Sequence, residues 1–212
     1  SDWSDPVQFT VEKDEGIFFE DFNGDLSKWN IIKEAYHTAE IRSDDGNPAP
    51  YIFLDDKLNY GILAISKRTF SFGAQEIEFS ADMKQGDAAA GNQRSAHFKV
   101  CKSPTDKNAV IMLVVNGSTH SVTPNKVRGY VKVEDGSSEK WEEGPYVDLN
   151  PGDGWHHGKF RIKTDRRVEF YIDGKYLYTS TGTLPLAYSG KISVAVGDRK
   201  SFYDNIYVGP IT

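Results

Sequence analysis

The sequence predicts an all-β chain, a two-sheet antiparallel β-sandwich. Three observations carry that expectation. First, Phe160 and Ile162 alternate with Lys159, Arg161 and Lys163, and Val168, Phe170 and Ile172 alternate with polar residues in the same way. Period two places one buried and one wet face on each strand. Second, Asp173-Gly174 supplies the positive φ of a tight hairpin turn, and Lys175 to Thr179 makes the return strand. Third, aromatic content is 13% while hydrophobic content is only 38%. That mix suits half-exposed sheets and is too polar for an all-buried parallel sheet.

The elements follow in order. Residues 1 to 16 are polar with Pro6 and read as a lead-in with an edge strand near Phe9 to Val11. Residues 17 to 212 read as one domain, because sandwiches of this length commonly stay undivided. Ile17 to Phe22 is a strand closed by Asn23-Gly24, and Asp25 to Trp29 suits one helical turn. Asp44 to Pro50 is a loop by composition. Leu63 to Ser66 and Gln75 to Ala81 are strands, Gly86 to Asn92 is a flexible link, and Ser95 to Cys101 is the next strand. After the loop Ser103 to Asn108 comes Ala109 to Val115, apolar on both faces and therefore a central strand. Val127 to Val133 and Pro145 to Leu149 flank a polar hairpin tip, Glu134 to Gly144, that carries Trp141. Strands at Lys191 to Val196 and Phe202 to Val208 end the chain.

Composition also narrows function. A formal net charge of −6 leaves no basic footprint for nucleic acid. No apolar run approaches the ~20 residues of a membrane helix, so membrane insertion is not expected. The single cysteine, Cys101, lies in a strand pattern and reads as a buried, inert thiol.

Several segments in this order, FFEDFNG, YGILAISK, FSFGAQEIEFSADMKQG, GWHHGKFRI, VEFYIDG, GKISVAV and YDNIYV, resemble the concanavalin A-like jelly roll. The likeness runs from about Ile17 to Val208 and is specifically to family-16 glycoside hydrolases (laminarinases and lichenases) and their non-catalytic relatives. The resemblance implies a structural Ca²⁺ held by the backbone carbonyls of Asp21 and Gly61 and the carboxylate of Asp204. Hard oxygen donors of that kind are what Ca²⁺ takes. A local pairing of Asp204 near the last strand is the other reading.

The resemblance also exposes a departure. The hydrolases carry a strand E-I-D-I-E whose outer glutamates are nucleophile and acid/base. The corresponding strand here is Ala109 to Val115, with Val110, Met112 and Val114 at the three carboxylate positions. Retaining hydrolysis needs two carboxyl groups about 5–5.5 Å apart, and aliphatic side chains supply neither. The family's activity is therefore not carried over.

Carboxylates remain elsewhere. Glu76, Glu78, Ser80 and Asp82 share one face of their strand, because Ile77, Phe79 and Ala81 take the other. By its place in the chain this strand matches a cleft-lining one, so Glu76 and Glu78 are expected to touch a ligand, with a plain solvated face as the alternative. His97 and Lys99 alternate with Phe98 and Val100 and are expected beside them. His156 and His157, adjacent on a strand, point to opposite faces and cannot chelate together. Pyranose rings stack on aromatic faces while their hydroxyls take hydrogen bonds. Trp141 and Tyr36 are the stacking candidates, and packing over a sheet edge is the other reading of Trp141.

The expected function is non-catalytic binding of a polysaccharide or oligosaccharide by the concave face of the sandwich, in a secreted or cell-surface monomer. Two alternatives stand beside it. One is a glycoside hydrolase or polysaccharide lyase with relocated residues Glu76, Glu78 and His97; the other is a laminin-G-like adhesion domain. Fold alone does not choose among them.

Overall fold

The computed structural model describes residues 18–33, 37–44, 50–56, 62–72, 75–86, 95–102, 109–150, 154–185, 188–197 and 199–211. The regular elements among them are all strands. In chain order they are β1 (Phe18–Glu20), β2 (Trp29–Ile32), β3 (Thr38–Arg42), β4 (Tyr51–Asp56), β5 (Ile62–Ser66) and β6 (Phe70–Phe72). There follow β7 (Ile77–Gln85), β8 (Ser95–Cys101), β9 (Ala109–Asn116), β10 (Lys126–Asp135), β11 (Ser138–Glu143) and β12 (Val147–Asp148). The last five are β13 (His156–Ile162), β14 (Val168–Ile172), β15 (Lys175–Thr179), β16 (Tyr188–Val196) and β17 (Arg199–Pro210). No described helix is long and apolar enough to cross a membrane.

Two antiparallel sheets form the sandwich. Sheet A runs β15-β14-β13-β7-β17-β4-β3, with β1 on β17; sheet B runs β11-β10-β9-β8-β16-β5-β2, with β12 on β10 and β6 on β16. The meander β13 to β15 is the one the alternation predicts, and its turn has Asp173 at φ 49° and Gly174 at φ 74°. Both φ values are positive, as a type I′ turn requires. Strand β9 lies between β10 and β8 inside sheet B, as expected of the most apolar run. The predicted turn at Asp25 to Trp29 is a turn only: Trp29 N–H donates to Leu26 O at 2.9 Å, and Trp29 then opens β2.

The core fills the space between the sheets. Phe79 and Phe160 from sheet A stack at 5.0 Å between ring centres, and Phe98 from sheet B meets Phe160 at 5.2 Å. Cys101 is buried, as expected of it, and forms no disulfide.

The topology corrects one grouping. Glu78 sits on β7 of sheet A and His97 and Lys99 on β8 of sheet B, although the two strands are consecutive. Their inward residues, Phe79 and Ala81 against Ala96, Phe98 and Val100, share the core. The outward residues therefore face opposite sides of the molecule. Glu76 and Glu78 do not lie beside His97 and Lys99. The lead-in 1–16, Tyr36, Gly61, the link after Gly86, the loop Ser103 to Asn108 and most of Asp44 to Pro50 lie outside the described residues.

Candidate functional site

A cleft of about 370 Å³ opens on the outer face of sheet B. Its floor comes from strand alternation. In β9, Ile111, Leu113 and Val115 enter the core, which leaves Met112, Val114 and Asn116 facing out. In β8 the outward residues beside them are Ser95 and His97, since Asn116 pairs Ser95 and Val114 pairs His97 in register. In β10, Val127, Val131 and Val133 point inward and Tyr130 outward, opposite Met112. Met112 and Val114 thus form an apolar floor.

The segment between β9 and β10 builds one wall with His120, Val122 and Thr123. It is held from both ends. Asn116 Nδ2 donates to Thr123 Oγ1 at 2.8 Å, and His120 and Asn125 N–H both donate to Gly117 O at 3.2 Å. His120 Nδ1 accepts the N–H groups of Val122 and Thr123 at 3.2 and 3.0 Å, so its proton sits on Nε2. Burial holds the His120 imidazole below the usual histidine range.

His97 is tied to the interior. Its N–H donates to Tyr203 Oη at 2.6 Å, its Nε2 meets Ser95 Oγ at 2.5 Å, and Tyr203 Oη donates in turn to Ala195 O. Burial, then the neighbouring Lys99 and His120, hold the imidazole well below its ordinary value. The ring is neutral at pH 7.

The opposite wall is aromatic. Tyr146 is 44% exposed, and Tyr130 meets Trp141 edge-on at 6.4 Å. The Arg128 guanidinium lies over Tyr146 at 4.4 Å and over Tyr130 at 5.1 Å, and pairs with Glu143 at 2.7 Å. Burial and the hydrogen bond with Tyr146 push the Tyr130 hydroxyl up to about 12, while that bond lowers Tyr146. Trp141 differs from expectation in its element: it stands on β11, paired with Lys132, rather than in a hairpin tip. The tip is Asp135 to Ser138, with Gly136 at φ 63°. Trp141 remains 41% exposed, with Lys132 Nζ 5.4 Å from its ring centre.

The other predicted residues lie apart from the cleft. On the outer face of sheet A, Glu78 pairs with Arg161 at 2.8 Å and Lys159 at 3.4 Å, and Glu76 with Lys163 at 2.8 Å. These carboxylates are matched by cations across the β7–β13 register. His156 and His157 separate as expected, His156 pairing with Asp173 and His157 with Asp82, each at 2.8 Å. Lys99 faces outward on sheet B, one position along β8 from the residues of the cleft.

For the proposed metal, Asp204 is fully buried on β17, opposite Asp82 in register and followed by a bulge with Asn205 at φ 47°. Glu20 of β1 pairs Ile206, which brings Asp21 alongside that bulge. The Asp21 carboxylate caps Asn23, accepting its N–H at 3.2 Å and its Nδ2 at 2.6 Å. Among the described residues no three His, Cys, Asp or Glu side chains converge as a metal cluster.

The two-sheet antiparallel sandwich is similar to several solved structures. The fold is the concanavalin A-like jelly roll. A Bacillus licheniformis β-glucanase is similar over 94% of this chain and 100% of its own, with 16% identity and a TM-score of 0.63. The carbohydrate recognition domain of Emp46p in a potassium-bound form covers 88% of this chain and 91% of its own, at 9% identity and TM-score 0.62. The carbohydrate-binding module CBM66 from Bacillus subtilis covers 84% and 93%, at 17% identity and TM-score 0.53. At these identities the likeness shows the fold. No family model matches the chain, and no curated protein matches it either.

The floor residues Met112 and Val114 and three residues of the walls, Tyr130, His120 and Thr123, were missed by sequence reasoning. Tyr130 hid inside regular alternation, and His120 and Thr123 in a polar loop. The Ser/Thr/Asn/Pro composition of residues 117–125 marked a loop but not its direction.

Proposed function

We propose that the protein is a non-catalytic carbohydrate-binding domain and that the cleft on sheet B holds the glycan. The observation that carries this reading is the lining itself. Tyr130 and Tyr146 offer ring faces, His97, Asn116, His120 and Thr123 offer hydrogen-bonding groups, and Met112 and Val114 form an apolar floor. That combination suits a pyranose, whose C–H faces stack and whose hydroxyls pair. Among the described residues, no Asp or Glu lines the cleft. Relocated hydrolysis or elimination would need Glu76, Glu78 and His97 in one groove, and their placement on opposite outer faces argues against it.

The test is a polysaccharide panel of β-glucan, galactan, xylan and uronate polymers. Retention and released reducing or unsaturated ends are read from the same samples. Retention without product supports the reading, and product release contradicts it. The same reading has the protein secreted or on the cell surface, as a monomer.

A structural Ca²⁺ belongs to the same proposal. Asp204 supplies a buried carboxylate, a hard oxygen donor of the kind Ca²⁺ takes. The Asp21 carbonyl, one residue beyond the β1 pairing with β17, and that of Gly61 would complete the protein ligands. The ion would tie the first strand to the last.

A further inference from the structure

We infer that the end of the cleft beside Lys99 and His97 is an anion subsite, so that the glycan bound there carries a carboxylate or sulfate. This inference rests on the proposal that the cleft binds a glycan. Lys99 is half-buried on the outer face of β8, between Met112 of β9 and Ser193 of β16 in register. It has no carboxylate partner among the described residues. The other cations of this face are engaged: Arg128 with Glu143, Lys126 with Asp148, Lys102 with Glu139 and Lys191 with the carbonyls of Ser66 and Lys67, while Lys132 lies over Trp141. Each acidic group of those pairs is thereby spent, and none lines the cleft.

Two further groups near Lys99 are unsatisfied. Ser193 Oγ, its cross-strand neighbour, and His97 Nδ1 are both closed off from solvent with no hydrogen-bond partner among the described residues. A partly desolvated ammonium with no counter-charge is costly, and orphaned polar groups beside it add to the cost. Burial accordingly lowers the Lys99 ammonium from its usual value. An anionic oxygen at this place would neutralise the ammonium, a charge-assisted contact stronger than a neutral one. A single localised cation suits one acidic substituent on a sugar and not a continuous phosphate track, in keeping with the net charge of −6.

The experiment measures affinity for matched pairs: polygalacturonate against its carboxyl-reduced form, and sulfated galactan against its desulfated form. The inference predicts that at least one charged polymer binds tenfold or more tightly than its neutral partner. The two pairs tell a carboxylate from a sulfate. Lys99→Met should abolish that preference while leaving affinity for neutral polymer within about twofold. It should also hold or raise the melting temperature, since the apolar stem is kept and the unmatched charge removed. Lys99→Arg should retain the preference for the charged form. Equal affinity for charged and neutral partners, or an unchanged preference in Lys99→Met, overturns the anion subsite and leaves the glycan cleft standing. Failure of the intact protein to bind any of the four polymers, or the β-glucan and xylan of the panel, overturns both.

Discussion

His97 joins the cleft to the core: its ring lies at the surface of the site, while its N–H is held by Tyr203 from the opposite sheet. Its neutral state has a consequence for stability. With the folded value well below the unfolded one near 6.5, the unfolded chain takes a proton that the native chain refuses. Stability should therefore fall as pH drops below about 6.5, and His120 adds in the same direction. His157 works the other way. Its hydrogen bond to Asp82 raises it, so its contribution is complete below about 6.5 and lost as pH rises through the folded value. Thermal melts from pH 5 to 8 should show a maximum near 6.5, with His97→Gln flattening the acid limb and His157→Gln the alkaline one. Trp141 is tested by binding. Trp141→Ala should weaken glycan retention on the order of tenfold, about 1.4 kcal/mol, with the melting temperature little changed. Glu78→Gln should leave retention unchanged, because its partners Arg161 and Lys159 lie on the far face. Lost binding by Glu78→Gln would contradict the placement of the site, and unaltered binding by Trp141→Ala would confine the stacking surface to Tyr130 and Tyr146.

At the scale of elements, β10 and the segment between β11 and β12 carry the aromatic wall, Tyr130 and Tyr146, and its position depends on two glycines. A β-carbon at Gly129 would lie 2.5 Å from Phe170 Cδ1 of sheet A, and one at Gly144 would meet the Tyr178 ring. Phe170 and Tyr178 stack at 5.0 Å in the space so provided, and Tyr178 Oη donates to Gly129 O at 3.0 Å. Gly129→Ala should cost about 1–3 kcal/mol in denaturant unfolding by overpacking this junction. A neutral result would mean that the sheets adjust there freely. The same elements show what the sequence made legible. Alternation and the Asp173-Gly174 turn specified β13 to β15, and the apolar run specified β9, because each depends on neighbours in the chain. Period two also assigned Glu78 and His97 correctly to the wet faces of their strands. It could not say that β7 and β8 belong to different sheets, since sheet membership depends on pairing partners distant in sequence. Trp141 was misplaced for a related reason: β11 is a polar edge strand whose pairing with β10 leaves no hydrophobic alternation to read.

For the whole molecule, the jelly roll presents two outer faces of different character. Sheet A offers a ladder of matched charges, each exposed pair worth at most about 1 kcal/mol. Sheet B offers a cleft with aromatic, apolar and neutral polar groups. The sequence resemblance anticipated this fold over nearly the whole chain, and the apolar run of β9 was legible, but not that its Met112 and Val114 line a cleft while Val110 enters the core. The loop 117–125 that completes the wall was not legible, because its direction is fixed by hydrogen bonds to Gly117 and Asn116 that no local pattern encodes. Calcium, if held by Asp21, Gly61 and Asp204, acts at this scale by binding the native state alone. A chelator should then lower the melting temperature by several degrees, roughly 2–4 °C per kcal/mol of binding energy lost, and Asp204→Ala should remove that sensitivity. An identical melt with and without chelator would contradict the metal. The central claim is that the cleft binds glycan without cleaving it, and the polysaccharide panel tests it most directly. The account predicts at least one polymer retained by the intact protein, weakened by Trp141→Ala, with no new reducing or unsaturated ends. Sugar release that persists after purification and is lost in Glu78→Gln would contradict it.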